Sequence, residues 1–167
     1  APYTLDDMAS DTVGLLDALD IPAAHVVGAS MGGMIGQLVA ALHPERTLSL
    51  TSIMSTTGAR HLPQPSVRIR RELLRRPREP ITTETLLEHY EHLFGVIGSP
   101  GYPTPPDEFR VRIRRAVERG YHPAGFLRQL GAILASGDRS TLLGRITCPT
   151  LVIHGKADPL VPYQGGV

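Results

Sequence analysis

Apolar and polar residues follow a helical spacing over two segments near the start of the chain, and a β-prone run comes after each segment. Over residues 4–19 the apolar side chains recur at helical intervals, and Thr4 with Asp7 gives a capping-box pattern at the start. A β-prone run at residues 25–28 leads into a glycine-rich turn. A helical pattern over residues 34–42 then precedes a second β-prone run at 48–54. This order predicts a βαβ unit with a leading helix.

The middle of the chain has a different pattern, in which prolines separate amphipathic stretches. Helices are predicted over residues 67–76, 83–94, 107–119 and 125–136, and none of these stretches has a strand pattern. Residues 149–154 form a third apolar run that predicts a buried parallel strand, with residues 155–162 as the loop after it. The whole pattern predicts an α/β fold, with a parallel sheet flanked by helices.

Charge divides the chain in the same places. Among the Lys and Arg residues, only Arg46 and Lys156 lie outside the stretch from Arg60 to Arg145, which is net positive between two net negative flanks. We therefore predict an N-terminal part of the core over residues 1–58, a helical insertion over residues 59–146, and a return to the core over residues 147–167. Glutamates accompany the arginines of residues 68–76, which favours a solvated helix face over a phosphate-binding stripe.

Composition excludes several classes of protein. The 167 residues are 41% hydrophobic and 20% charged with a net charge of +1, which is typical of a folded chain and predicts neither a nucleic-acid nor a membrane partner. Cys148 is the only cysteine, so an intramolecular disulfide and a cysteine-rich metal site are excluded. The sequence contains neither a membrane-spanning apolar run nor a signal-peptide pattern, so we expect a cytoplasmic protein.

The strongest chemical signal is the G-x-S-x-G pattern at residues 28–32, placed between a predicted strand and a predicted helix. A serine nucleophile must project from a strained turn of this kind, so we interpret Ser30 as the nucleophile and Gly28 and Gly32 as the positions that avoid side-chain clashes. The N–H of Met31, at the start of the helix, is then a natural oxyanion donor. The alternative interpretation is an ordinary glycine-rich turn.

A second signal follows the third predicted strand, where Asp158 precedes Pro159. Functional groups gather at the carboxyl ends of parallel strands, and Asp158 comes after Ser30 in the order serine then acid. A carboxylate there would orient a histidine and stabilise its cationic form. The alternative is structural, because Asp before Pro commonly begins a turn.

These patterns together resemble the α/β-hydrolase superfamily, and above all its aclacinomycin methylesterase, cofactor-free haloperoxidase and proline iminopeptidase branch. The resemblance rests on residues 3–11, 25–37, 43–46, 50–58 and 149–162. It implies a partial α/β-hydrolase fold in which the insertion over residues 59–146 is a helical cap. It also implies Ser30 as nucleophile, Met31 as oxyanion donor and Asp158 as triad acid, acting on a small-molecule carboxylic ester. No metal or organic cofactor is implied.

The family pattern also places a catalytic histidine after residue 167 and a second oxyanion donor before residue 3. We therefore expect this chain to be part of a longer protein, and we expect the open edge of the strand at His25 to favour a homo-oligomer. His61, His89, His92 and His122 lie in or near the predicted cap and are candidate substitute bases. Two functions stay open: a serine esterase, and a catalytically incomplete chain that binds a small ligand or a complementary chain.

Overall fold

A computed structural model describes residues 2–166. Three parallel strands form its sheet in the order β1 (Ala24–Ala29), β2 (Thr47–Ile53) and β3 (Thr150–Ile153). Helix α1 (Leu5–Ala18) precedes the sheet, and α2 (Met31–Leu42) connects β1 to β2. Because strands and helices alternate around a parallel sheet, the predicted α/β class is confirmed.

Helix α1 begins with the capping box that its sequence predicts. The Thr4 side chain accepts a hydrogen bond from the Asp7 N–H, and the Asp7 carboxylate accepts one from the Thr4 N–H at 2.7 Å. This arrangement satisfies amide groups that a helix start otherwise leaves without a partner. The buried face of α1, with Leu5 and Ala9, packs against Leu38 and Val39 of α2 to form the core.

Helix α2 is buried along most of its length, because it lies between α1 and the first two strands. It begins at Met31, whereas the sequence pattern predicts a start at Met34. The earlier start is physically important, since it makes the residue after Ser30 the first residue of the helix. A side chain at Gly36 would approach Leu50 and Val26, so this glycine permits the close packing of α2 on β1 and β2.

Strand β3 forms where the sequence predicts it, but the prediction that it is buried is wrong. Leu151 is 56% exposed, Val152 48% and Ile153 47%. An apolar run indicates a strand, whereas burial also requires elements that cover both of its faces. Within residues 2–166, β3 pairs with β2 alone and is an edge strand.

The middle segment, which we define as residues 59–146, contains the helices that the sequence predicts there. They are α3 (Val67–Leu73), α4 (Thr83–Ile97), α5 (Pro106–Arg119) and α6 (Pro123–Ser136), followed by the short α7 (Ser140–Leu143). Arg110 of α5 pairs with Glu84 and Glu91 of α4, which ties these two helices together. The boundaries of the three predicted parts of the chain stay a prediction.

Within residues 2–166 the structure also contains two short 3₁₀-helices, at Pro44–Arg46 and Tyr163–Gly165.

Helix α3 has one buried residue, Ile69, and the arginines around it are exposed, as expected for a solvated helix face. No helix within residues 2–166 is both long enough and apolar enough to cross a membrane.

Candidate active site

Ser30 lies on the sharp turn between β1 and α2, with a φ of 53° and a ψ of −118°. Its N–H donates to the Ile53 carbonyl at 2.8 Å, which fixes the turn against the end of β2. Its own carbonyl accepts hydrogen bonds from the Gly33 N–H and the Ser55 hydroxyl. The backbone on both sides of Ser30 is therefore held, and the strained conformation is maintained by the surrounding structure.

Two glycines make this turn sterically feasible, and they are not the pair that the sequence motif suggests. A Cβ at Gly28 would lie 2.1 Å from the Gly32 carbonyl oxygen, and a Cβ at Gly33 would lie 2.6 Å from the Ser55 Cβ. A Cβ at Gly32 would meet nothing within 4 Å. The interpretation of Gly32 as a position that avoids a side-chain clash is therefore wrong, because the two close approaches are those of Gly28 to the Gly32 carbonyl group and of Gly33 to the Ser55 side chain.

Met31 is the first residue of α2, so its N–H belongs to the turn of amides that have no partner within the helix. The positive end of the helix dipole lies at the same place. The Met31 side chain packs against the core formed by α1 and α2 and also lines a cavity beside Ser30. This position suits an oxyanion donor next to an apolar acyl site.

The cavity beside Ser30 has a volume of about 610 Å³. Its walls come from α2, from the loop after β2, from α3 and α6 of the middle segment, and from the loop after β3. Most of its lining is apolar, including Met31, Met34, Phe126, Ile133 and Leu160. A cavity of this size and character is typical of a site for a small organic molecule.

Asp158 lies in the loop after β3, where the sequence places it. Its Oδ1 accepts hydrogen bonds from the N–H groups of Leu160 and Val161, each at 2.9 Å, and its Oδ2 lies 3.7 Å from His154 Nε2. One carboxylate oxygen therefore holds the turn that positions Leu160 and Val161 in the cavity wall. The other oxygen makes no hydrogen bond within the described residues.

The model of the protein family described as 'alpha/beta hydrolase fold' matches residues 1–167 of the chain. The chain belongs to the α/β-hydrolase fold family. This confirms both the resemblance and the expected fold class.

Curated relatives of this chain carry the names of hydrolytic enzymes. Rhodomycin D methylesterase of Streptomyces peucetius is 33% identical over 181 residues, which cover 96% of this chain and 60% of that protein. The 3-oxoadipate enol-lactonase 2 of Acinetobacter baylyi is 30% identical over 99% of this chain and 58% of its own length. The chain therefore spans about 60% of the length of these relatives.

Solved structures give the same assignment. A hydrolase from Pseudomonas aeruginosa PA01 has a TM-score of 0.65 at 25% identity, covering 99% of this chain and 59% of that one. A meta-cleavage product hydrolase from Pseudomonas fluorescens IP01 has a TM-score of 0.70 at 19% identity, covering 98% of this chain and 58% of that one. The second likeness supports the fold alone.

Among the residues that the structure describes, none of the histidines lines the cavity beside Ser30. His154 donates from Nε2 to the Val161 carbonyl at 2.8 Å, and its side chain is 2% exposed. His92 contacts Glu72 at 2.8 Å, and its hydrogen bond lowers the pKa of that carboxyl. Burial lowers the pKa of His89.

No group of three or more potential metal ligands occurs within residues 2–166.

Two residues of the candidate site are not indicated by the sequence pattern. Ser55 donates its hydroxyl to the Ser30 carbonyl at 2.9 Å, and Arg139 lines the cavity. Ser55 follows the end of β2, so the rule that functional groups gather at the carboxyl ends of parallel strands could have found it. Arg139 stands alone in a polar stretch and carries no comparable signal.

Proposed function

We propose that this chain belongs to a serine enzyme that cleaves carboxylic esters through an acyl-enzyme on Ser30. The observation that carries the proposal is the position of Ser30, on a positive-φ turn at the start of α2 and in the wall of an apolar cavity. A serine held in this way is exposed to a bound acyl group, and the adjoining helix start supplies amide donors. The named activities of the relatives, which include a methylesterase and an enol-lactonase, support the same class of reaction.

In the proposed reaction Ser30 Oγ attacks the ester carbonyl carbon while its proton passes to a histidine. The Met31 N–H stabilises the negative charge that develops on the carbonyl oxygen. The alcohol leaves with the proton that the histidine returns, and water then cleaves the acyl-serine bond to release the acid. The role of Asp158 is to orient that histidine through Oδ2, the carboxylate oxygen that the loop leaves without a hydrogen bond.

A second candidate function is supported by the absence of any histidine from the cavity lining within residues 2–166. Because serine without a base is a weak nucleophile, the chain taken by itself would then bind a small ligand, or a complementary chain, without turnover. The apolar cavity supports this function as well as it supports the first.

Intact mass spectrometry after treatment with a fluorophosphonate probe distinguishes the two functions. Attack by Ser30 Oγ on the probe phosphorus expels fluoride and leaves one phosphonyl group on the protein. In a form of the protein that includes the histidine expected after residue 167, we expect the wild type and Ser10→Ala to gain one group, and Ser30→Ala to gain none. A folded wild-type protein of that form that gains no group would favour the second function. Labelling that persists in Ser30→Ala would overturn the first.

A further inference from the structure

Arg139 is a buried cation in the wall of the Ser30 cavity. The residue is 3% exposed, lies between α6 and α7, and is among those that line the cavity. One terminal guanidinium nitrogen, Nη2, donates to the Thr56 carbonyl at 2.8 Å, and the other, Nη1, donates to the Gly137 carbonyl at 3.0 Å. These bonds hold the guanidinium against the loop that follows β2, one residue after Ser55.

The charge of Arg139 has no direct counter-charge in the part of the chain that the structure describes. No carboxylate lies within ion-pair distance of its guanidinium, and its Nε is buried without a hydrogen-bond partner. Asp6 and Asp138 act on it only at longer range, and the Asp138 carboxylate already accepts from Ser140. Burial lowers the pKa of Arg139, although a guanidinium stays charged at neutral pH.

Burying such a cation is costly, because buried charges are normally paired. Neutral glutamine would make comparable hydrogen bonds to two carbonyl groups at a lower cost of desolvation. An explanation for the retained charge is therefore needed, and the composition of the cavity gives one. Its charged lining residues are Arg60, which is exposed, and Arg139, with no aspartate or glutamate among the described residues that line it.

A positive charge beside an apolar cavity acts strongly on a bound anion, because the low dielectric of the wall weakens Coulomb interactions less than water does. We propose that the cavity selects esters whose acyl part carries a carboxylate away from the scissile bond, and that Arg139 determines this preference. The inference rests on the proposed function for its ester class. Arg60, at an exposed position in the lining, adds to the same potential.

Binding of a matched pair of esters to the 167-residue chain tests the inference. The chain carries Ser30→Ala so that neither ester is consumed. Monomethyl adipate is the anionic ligand, and the methyl ester amide of adipic acid is its neutral counterpart. We expect the anionic ester to bind about tenfold more tightly or better, measured by calorimetry or by NMR titration. Equal affinity for the two esters would overturn the proposal, and this comparison requires no change at Arg139.

Variants of the same chain assign the preference to its residue. Arg139→Lys keeps a charge and should retain part of the preference, whereas Arg139→Gln keeps hydrogen-bonding capacity and should lose it. Arg128→Gln removes an exposed cation from α6 that does not line the cavity, and it should retain the full preference. Thermal unfolding of each variant confirms that it is folded. A full preference in folded Arg139→Gln would contradict the role of Arg139.

The failure of this inference is distinguishable from failure of the proposed function. If Ser30 is not labelled by the fluorophosphonate but the carboxylate preference is measured, the ester reaction is contradicted and the anion site is supported. If Ser30 is labelled but there is no carboxylate preference, the ester reaction is supported and the role of Arg139 is contradicted.

Discussion

Ser30 has a backbone conformation that favours glycine, since its φ of 53° lies in the left-handed region. A non-glycine residue held there costs on the order of 1–3 kcal/mol. Ser30→Gly relieves this strain, and the extra entropy of glycine in the unfolded chain offsets part of the gain. We expect Ser30→Gly to increase the free energy of unfolding by about 1 kcal/mol, measured by urea denaturation.

Ser30→Ala is the matched control for this prediction, because it removes the hydroxyl and keeps the Cβ. Its stability should stay close to that of the wild type. If Ser30→Gly and Ser30→Ala have the same free energy of unfolding, the strain at Ser30 is not what the turn geometry indicates.

Gly28 and Gly32 are both part of the G-x-S-x-G pattern, but the structure gives them different roles. A Cβ at Gly28 would lie 2.1 Å from a backbone oxygen that cannot move freely, whereas a Cβ at Gly32 would meet open space. We expect Gly28→Ala to destabilise the chain by about 3 kcal/mol. Gly32→Ala should be neutral or slightly stabilising, since alanine is the better helix former. Equal effects in urea denaturation would contradict this assignment.

The functional role of a single residue can be predicted from the sequence when a motif surrounds that residue, and not otherwise. Ser30 is recognisable because glycines flank it between a strand and a helix. The contact of Gly33 with Ser55 joins positions far apart in the chain and depends on how β2 ends beside the turn. Arg139 becomes informative only when its burial and its lack of a carboxylate partner are known.

Helix α1 connects its start to the middle segment, since the Leu5 N–H donates to the Ser136 hydroxyl of α6 at 2.9 Å. The capping box of Thr4 and Asp7 therefore stabilises a helix that helps to position α6, one wall of the cavity. We expect Thr4→Ala to lower the free energy of unfolding by about 1 kcal/mol near neutral pH. Ser10→Ala, at an exposed position on the same helix, should have a much smaller effect.

The effect of Thr4→Ala should depend on pH. Two hydrogen bonds from Thr4 lower the pKa of Asp7 below its ordinary value of 3.8, and the bond from the Thr4 side chain has a larger effect than the bond from the Thr4 backbone. A lowered pKa in the folded state contributes stability above pH 3.8, and this contribution is lost as the pH falls through the folded-state pKa. The stability difference between wild type and Thr4→Ala should therefore shrink below pH 4. A difference that is constant from pH 6 to pH 3 would contradict the capping role of Asp7.

The sequence pattern is most reliable for elements whose character is local. The spacing of apolar residues and the prolines locate α1 and α3 to α6 closely, because helix periodicity and helix ends are properties of neighbouring residues. The predicted start of α2 lies three residues after the observed start, because glycines in the first turn weaken the helical pattern of the sequence. The burial of β3 is not predictable from its own residues, since it depends on which elements cover the strand.

At the scale of the whole molecule, the sheet has two unpaired edges within residues 2–166, and both edge strands expose apolar side chains. Val27 of β1 is 67% exposed, and Val152 of β3 is 48% exposed. Unpaired parallel edges with apolar faces recruit further strands. We therefore expect the isolated 167-residue chain to self-associate.

Light scattering during size-exclusion chromatography measures this association. The apparent mass should exceed 18.1 kDa and should increase with protein concentration. Val27→Lys and Val152→Lys, each on an edge strand, should lower the apparent mass, because a charge on an edge opposes pairing. Val111→Lys replaces a valine that is 51% exposed on the helix α5 and should leave the mass unchanged. Equal effects of all three variants would assign the association to general surface hydrophobicity, whereas a selective effect of the strand variants would assign it to the sheet edges.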